Sequence, residues 1–548
     1  MPFKITEPPA EAPTTSRPGE TGETPAAFDP ARGRQSPWTG ILGAGLLLLY
    51  FFAYVLFRDS AGAAGEARVD FFISWLPRFF HVGSLPREIF DLPALALTGF
   101  LFMASWEACS SPGARGLLLA LSFFLAATTF FTPPAGESFF SGSFLFLPGG
   151  LSVFEKTTAL HLVVLLLFLL VQLAQGARSG ALRVRIRLGL ALRTSFIRWA
   201  AGLAVLFAAA LFFTNHPLFY GENFLPWRST VVFLFLGYGL AGWPYSFLTN
   251  LFRSGPGEDR RDFGLIIFLF FRNLLLFFPK KTRPRLGRVL RDRTARILLR
   301  DLAVKFFFLP LMITFMFQEY RALSHNLPFL FQAPSFWEAA NLNRLYWTIF
   351  HSIFVLDVTL SGIGYACSCR WLGNKSRSVE PTLAGWVAAL VCYPPFNQAM
   401  GQYLPYQHRF GNTPYLDFAS WSWLPDQVGT WLNYGLGVGL AGFTLACYLV
   451  FVWATMSFGL RFSNLTNRGV ITRGPYAFAR HPAYAAKNLA WWAESIRGFS
   501  SPWQFLFLFG WNLIYYWRAE TEERHLQSDP AYRLYRARVK YKFLPGLW

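Results

Sequence analysis

Strongly apolar blocks of about 15 to 25 residues, nearly free of charge, recur along the chain and are separated by short polar or basic connections. The first reads TGILGAGLLLLYFFAYVLF over Thr39–Phe57. Others follow at about Phe90–Trp106, Gly116–Thr132, Ala159–Leu173, Trp199–Thr214, Ser229–Leu251, Leu302–Phe317, Leu345–Ala366, Leu383–Tyr403 and Tyr434–Phe458. A closing pair lies at about Ala483–Ile496 and Pro502–Trp517. Each block is close to the length of helix that crosses a hydrocarbon core of about 30 Å. The pattern predicts an all-α fold: a polytopic membrane helical bundle of about twelve spans, its last pair forming a helical hairpin.

Between these blocks the chain changes character. Residues 1–37 are rich in Pro, Gly, Thr, Glu and Ala without apolar period, so they bury too little surface to offset their ordering entropy and are expected to form a disordered tail. They do not read as a signal peptide. Phe263–Phe278 is short, contains Arg272 and precedes nine basic residues between Lys280 and Arg300. A crossing there would place that basic loop opposite the Arg-rich stretch Arg178–Arg198, against the positive-inside tendency, so the segment is read as interfacial or re-entrant. The basic connections and the C-terminus then share one side, the cytoplasm, and the expected location is a bacterial inner membrane. ALRVRIRLGLALR and RLGRVLRDRTARILLR interleave Arg with Leu, Ile and Val and suit helices lying among headgroups. Three segments are expected: the tail 1–37, an N-terminal membrane region 38–340 of unassigned role, and a C-terminal membrane domain 341–548.

Composition fits a membrane as the solvent: 53% of the 548 residues are hydrophobic and 61 are Phe, far from soluble averages. The net charge of +20 would point to nucleic acid in a soluble protein. Here Lys and Arg sit in the connections, where they set topology and meet anionic headgroups, and no recognition module accompanies them, so nucleic acid is excluded as a partner. The five cysteines lie in or beside apolar blocks without a paired framework, and Cys367 with Cys369 lacks the second pair that a zinc site requires, so no metal is expected.

Candidate chemistry concentrates near the C-terminus. RFSNLTNRGVITRGPYAFARHPAYAAKNLAWW, from Arg461, packs charged, amide and imidazole groups between two apolar blocks, where such groups are costly unless partners or a ligand satisfy them. Gly474 and Pro475 predict a turn, and Pro482 suits the first turn of a helix that brings Arg480 and His481 to its positive end, which favours an anionic group such as a carboxylate. After the last block, Glu520, Glu522 and Glu523 emerge from an apolar helix. A second polar set lies upstream: Asp357 within a block, Arg370, Asn374, the run Arg377 to Thr382, and Asn397 with Gln398 after Pro394-Pro395. An acid within a span is a functional candidate, and a Pro-broken helix at membrane depth is tolerated where it lines a cavity. Asp357, Asn397, Gln398 and Glu494 are therefore the expected acceptor-side residues, although interhelical hydrogen bonding accounts for any one of them more simply.

From about Phe451 to Trp548 the chain resembles the isoprenylcysteine carboxyl methyltransferase and phospholipid methyltransferase superfamily. The resemblance rests on Arg473-Gly474-Pro475-Tyr476, Arg480-His481-Pro482-Ala483-Tyr484, Glu522-Glu523 with Leu526, Tyr532 with Tyr535, and Pro545-Gly546, in that order and spacing. It departs at Ala485-Ala486-Lys487-Asn488, where the family has a bulky residue and Gly. The resemblance implies an S-adenosylmethionine pocket without a Rossmann fold, built from the hairpin and the C-terminal helix. Gly474, Tyr476, His481, Pro482 and Tyr484 would hold the cofactor near the turn, Glu522 and Glu523 would anchor its polar groups, and Arg480 and Glu523 would serve the reaction. The acceptor it implies is a lipid or lipidated molecule entering from the bilayer, methylated on oxygen or nitrogen; for an amine, Glu494 or Glu523 could take the proton. Two other readings stand beside it. One is an NADPH-dependent membrane sterol or enone reductase, whose C-terminal hairpin is related. The other is a non-catalytic lipid-binding or transport protein, suggested by the long N-terminal membrane region.

Overall fold

The computed structural model describes residue 36 and most of 38–547; the main stretches outside the described residues are 1–35, 61–67, 70–79, 131–162, 172–181, 255–263, 270–290 and 400–429. The predicted tail, most of Ala159–Leu173 and Phe263–Phe278, Arg370 and the end of Leu383–Tyr403 therefore lie outside them.

The apolar blocks fold as helices. In chain order they are α1 (Trp38–Ser60), α2 (Glu88–Ala108), α3 (Pro112–Phe130), α4 (Leu188–Asn215), α5 (Leu225–Leu251), α6 (Arg293–Gln332), α7 (Ala339–Ala366), α8 (Leu383–Leu390), α9 (Thr430–Phe458), α10 (Pro482–Ser495), α11 (Pro502–Leu526) and α12 (Pro530–Arg538). Five described helical stretches are both long and apolar enough to cross a membrane: Trp38–Leu56, Ala191–Asn215, Glu222–Leu248, Asn341–Ala366 and Gly435–Arg461. Among the described residues the strands form three two-stranded antiparallel ladders of two or three residues per strand.

Several helices run beyond the blocks that predicted them. The block Leu302–Phe317 lies inside α6, whose 40 residues continue through Pro310 and Pro328. At 1.5 Å per residue that is about 60 Å, twice a hydrocarbon core, so its ends must project from the apolar layer. The interfacial helix expected over ALRVRIRLGLALR is instead strand Leu182–Val184, paired with Phe252–Ser254, followed by the start of α4. Alternation of Arg with Val and Ile there satisfies a strand as well as a helix face. The block Leu383–Tyr403 is not one helix. Thr382 caps α8 by accepting from the Gly385 amide at 3.2 Å, the helix stops at Leu390, and a 3-10 turn at Phe396–Ala399 follows the cis Pro394-Pro395 bond.

The helices that position the site are α1, α6, α7 and α9. α6 packs along α7, α7 against α9, and α1 against α6, α7 and α9. Their core is largely aromatic and aliphatic, with Tyr320, Phe308, Phe317, Tyr365 and Tyr448 fully buried and the Phe308 ring stacked on Tyr365 at 5.2 Å and 5°. α9 packs on α10, and α11 packs on α8 and α10. The hairpin is thus set against the core by two of its neighbours.

Candidate active site at the C-terminal hairpin

Between α9 and α10 the chain is irregular, as Gly and Pro at short intervals dictate. A 3-10 turn at Gly459–Arg461 ends α9, Thr466–Asn467 pairs antiparallel with Ser378–Val379, and a second 3-10 turn covers Gly474–Ala477. Gly474 has φ +60°, and a methyl placed on it would stand 2.3 Å from the Ser457 hydroxyl. Only glycine meets both conditions without strain. Gly474→Ala is expected to cost about 2 kcal/mol or more, read as a lower midpoint in thermal unfolding, because left-handed strain and a clash add.

His481 occupies the N-cap of α10 and Pro482 its first turn, as the sequence predicts. The local turn is held from the far end of the chain: the amides of Arg480 and His481 donate to the carbonyls of Tyr541 (3.0 Å) and Lys542 (2.8 Å). Arg480 adds Nη1 bonds to the carbonyls of Val539 and Lys540 at 2.9 and 2.6 Å. Lys542 is itself paired with Glu520. The C-terminal segment therefore closes over the turn.

α11 does not end with its apolar block at Trp517 but continues to Leu526, because Arg518 to His525 contain no helix breaker before Asp529-Pro530. The glutamates are thus fixed on a helix. Glu523 is 2% exposed, and its Oε1 accepts from Arg480 Nε at 2.8 Å and lies 3.1 Å from His481 Nε2. Burial works against its charged form, yet the hydrogen bonds and charges of His481 and Arg480 outweigh burial and hold its pKa down to about 2. Glu522 takes the other face, accepting from the Tyr484 hydroxyl at 2.7 Å. The Tyr484 ring stacks on His481 at 5.4 Å and 14°. Tyr535, on α12, donates to the Tyr476 carbonyl at 2.8 Å and so ties the RGPY turn to the C-terminal helix.

These pieces surround one cleft. Tyr476, Arg480, His481, Tyr484 and Glu522 line it, together with Tyr532, Tyr535 and Leu526. Gly474 and Pro482 are not among its lining residues but hold the turn and the first turn of α10 that carry Tyr476 and Tyr484, and Glu523 stands behind Arg480 and His481. Among the lining residues that the sequence reading did not single out are Asn464, Arg468, Arg518 and His525. Arg518 is buried, with its guanidinium 5.0 Å from the Tyr484 ring centroid and 5.5 Å from that of Tyr393, and it donates to Asn464 Oδ1 at 2.8 Å. Its signal was its place four residues before Glu522, one turn earlier on the same helix face. From the upstream set, Glu380 joins the lining and pairs with Arg524 at 3.4 Å, while Ser378 meets His525 Nε2 at 2.9 Å.

The expected acceptor-side residues lie elsewhere. Asp357 accepts from Thr455 at 2.6 Å, an α7 to α9 contact. Asn397 donates to the Cys392 carbonyl at 3.4 Å, Gln398 sits in the same 3-10 turn, and Glu494 is buried on α10. None of the four is among the residues lining the cleft.

Three polar atoms facing this cleft are buried without a hydrogen-bond partner among the described residues: the Tyr532 hydroxyl, Thr466 Oγ1 and Arg461 Nε. A ligand in the cleft would offer these three atoms the partners that the described residues do not. Residues 432–532 match the phospholipid methyltransferase family. The matched segment runs from α9 to α12 and contains every motif of the resemblance except Tyr535 and the closing Pro545-Gly546. No curated protein and no solved structure matches the chain.

Proposed function

We propose that the cleft is the donor site of an S-adenosylmethionine-dependent methyltransferase that acts on a phospholipid-type acceptor within the membrane. The observation that carries this reading is convergence: Tyr476 of RGPY, Arg480, His481 and Tyr484 of RHPAY, Glu522 and Tyr532 reach one cleft from the segment that matches the family, and Tyr535 joins them from just beyond it. The residues present suit the donor. Glu522 offers a carboxylate for an ammonium, the Tyr484 and Tyr476 side chains offer aromatic surface, and the orphaned Tyr532 and Thr466 hydroxyls offer hydrogen bonds.

When bound, S-adenosylmethionine supplies a methyl already activated on a sulfonium, so transfer is an in-line displacement governed by placement. The chain's task is then to orient and to exclude water. Glu523, with a conjugate acid near pKa 2, is a poor proton acceptor. We assign it to positioning, as the fixed anion that holds Arg480 and His481 in register. Glu522 is the carboxylate that faces the cleft. The same reading places about twelve spans in the bilayer with the C-terminus in the cytoplasm, and divides 38–340 from a catalytic 341–548.

The test uses the full-length protein in detergent. Calorimetric titration with S-adenosylhomocysteine is expected to show one site, and incubation of membrane lipid extract with methyl-labelled S-adenosylmethionine is expected to label the phospholipid fraction. Titration by NADPH in place of S-adenosylhomocysteine would overturn the assignment in favour of a reductase.

A further inference from the structure

Arg461 is the least satisfied charged group beside the cleft. It is 6% exposed, lines the cleft, and makes no hydrogen bond or ion pair among the described residues. Its neighbour Arg468 is as deeply buried but fully engaged: its guanidinium donates to the carbonyls of Gly364 (2.5 Å) and Phe462 (3.3 Å) and pairs with Asp301 at 3.6 Å. A buried guanidinium left without counter-ion is strongly unfavourable, so Arg461 asks for an anion that the chain does not provide.

The surroundings add positive charge. Arg377 and Arg473 both act on Arg461 through space, and the facing carboxylate is Glu107. Glu107 is already engaged by the Thr39 hydroxyl at 2.5 Å and the Ser36 amide at 3.1 and 3.2 Å, and forms no contact ion pair with Arg461. Gly469 keeps the space before the guanidiniums open. Its φ is +113°, and a methyl there would approach Arg461 Nη1 at 3.2 Å and Arg377 Nη2 at 3.4 Å. Arg461 also closes the apolar helical stretch Gly435–Arg461, so it stands where that helix leaves the hydrocarbon, at the depth of lipid headgroups.

We infer that Arg461, flanked by Arg377 and Arg473, is a phosphate subsite of the cleft that holds the phosphate ester of a lipid acceptor. Arg461 lines the cleft, and Arg377, paired with Asp529 at 3.7 Å, stands beside it across Gly469; the planar fork of arginine suits the two free oxygens of a phosphodiester better than an ammonium does. Placed there, the phosphate orients the headgroup towards Tyr484 and Glu522 while the acyl chains remain in the apolar layer. This assignment rests on the methyltransferase reading for its acceptor, but its test does not.

Binding of dihexanoylphosphatidylethanolamine, dihexanoylglycerol and inorganic phosphate to the full-length protein in neutral detergent can be compared, with S-adenosylhomocysteine affinity measured on the same samples. The wild type is expected to bind the phospholipid and not the phosphate-free diacylglycerol. Arg461→Ala is expected to weaken phospholipid binding about 10- to 100-fold, with Arg461→Lys restoring it only in part. If Arg461→Ala does not fold, the half-exposed Arg377 provides a second variant, and Arg377→Ala is expected to cost about three- to tenfold. Equal binding of phospholipid and diacylglycerol would overturn the inference, as would inorganic phosphate binding without phospholipid binding. Loss of S-adenosylhomocysteine binding alone in Arg461→Ala would assign the guanidinium to the donor's carboxylate and also overturn it. A wild type that binds phospholipid but not S-adenosylhomocysteine would remove the donor assignment and leave the subsite standing.

Discussion

Glu523→Gln is expected to abolish measurable S-adenosylhomocysteine binding and to destabilise the folded protein by about 3–5 kcal/mol. The amide keeps the shape of the side chain but removes the charge that holds the Arg480 guanidinium at 2.8 Å and the His481 imidazole at 3.1 Å, in a pocket where their side chains are 9% and 6% exposed. Arg536, at 3.6 Å from the second oxygen, is less affected because it is half exposed. With Arg480 released, the RHPAY turn loses its grip on the wall that presents Tyr484. The same carboxylate gives a pH signature. Its folded pKa of about 2 lies below the unfolded value of about 4.3, so its stabilisation is complete above the unfolded pKa and is lost as pH falls through the folded one. Chemical unfolding followed from pH 6 to about 2 is expected to show this acid-side loss in the wild type and to show less of it in Glu523→Gln. Identical acid limbs and unchanged ligand affinity would remove Glu523 from the site.

The second large effect is expected at Arg518. Arg518→Ala should cost about 3–4 kcal/mol and weaken cofactor binding about tenfold or more. The guanidinium fills the space among Tyr393, Tyr484 and Tyr515, with centroid distances of 5.5, 5.0 and 5.9 Å, so truncation leaves a cavity between three rings. It also frees Asn464, whose Oδ1 it engages at 2.8 Å, while the Asn464 amide groups remain bound to the hydroxyls of Tyr365 and Tyr393 at 3.0 and 2.8 Å. Arg518→Lys is expected to recover part of the stability and little of the affinity, since one ammonium cannot both cover the rings and reach Asn464. Thermal unfolding and titration of the two variants separate these contributions. An Arg518→Ala protein with wild-type affinity would show that the guanidinium only packs.

The parts of this site that sequence reveals are those fixed by local chemistry. Gly474-Pro475 forms its turn, His481-Pro482 opens α10 and Ser501-Pro502 opens α11 because glycine, proline and capping residues act within a few bonds. Hydrophobic blocks foretell where helices cross apolar surroundings but not where they stop. α11 outruns its block by nine residues, from Trp517 to Leu526, since charged residues that leave the membrane remain good helix formers. What sequence hides is nonlocal. The ladder joining Ser378–Val379 to Thr466–Asn467 is two residues long, too short for any alternation to register, yet it brings Glu380 to the cleft. Asp357, which sequence marks as a lone acid in a span, is instead held by Thr455 on a neighbouring helix, a pairing that spacing along one helix cannot disclose.

Residues 480 and 481 are gripped by main-chain carbonyls at 541 and 542, about sixty positions later. Cutting the backbone between Leu526 and Val539 would leave every helix that carries the RHPAY turn and the glutamates in place yet remove the main-chain clamp on residues 480 and 481, so this wall of the cleft depends on covalent continuity more than on helix packing.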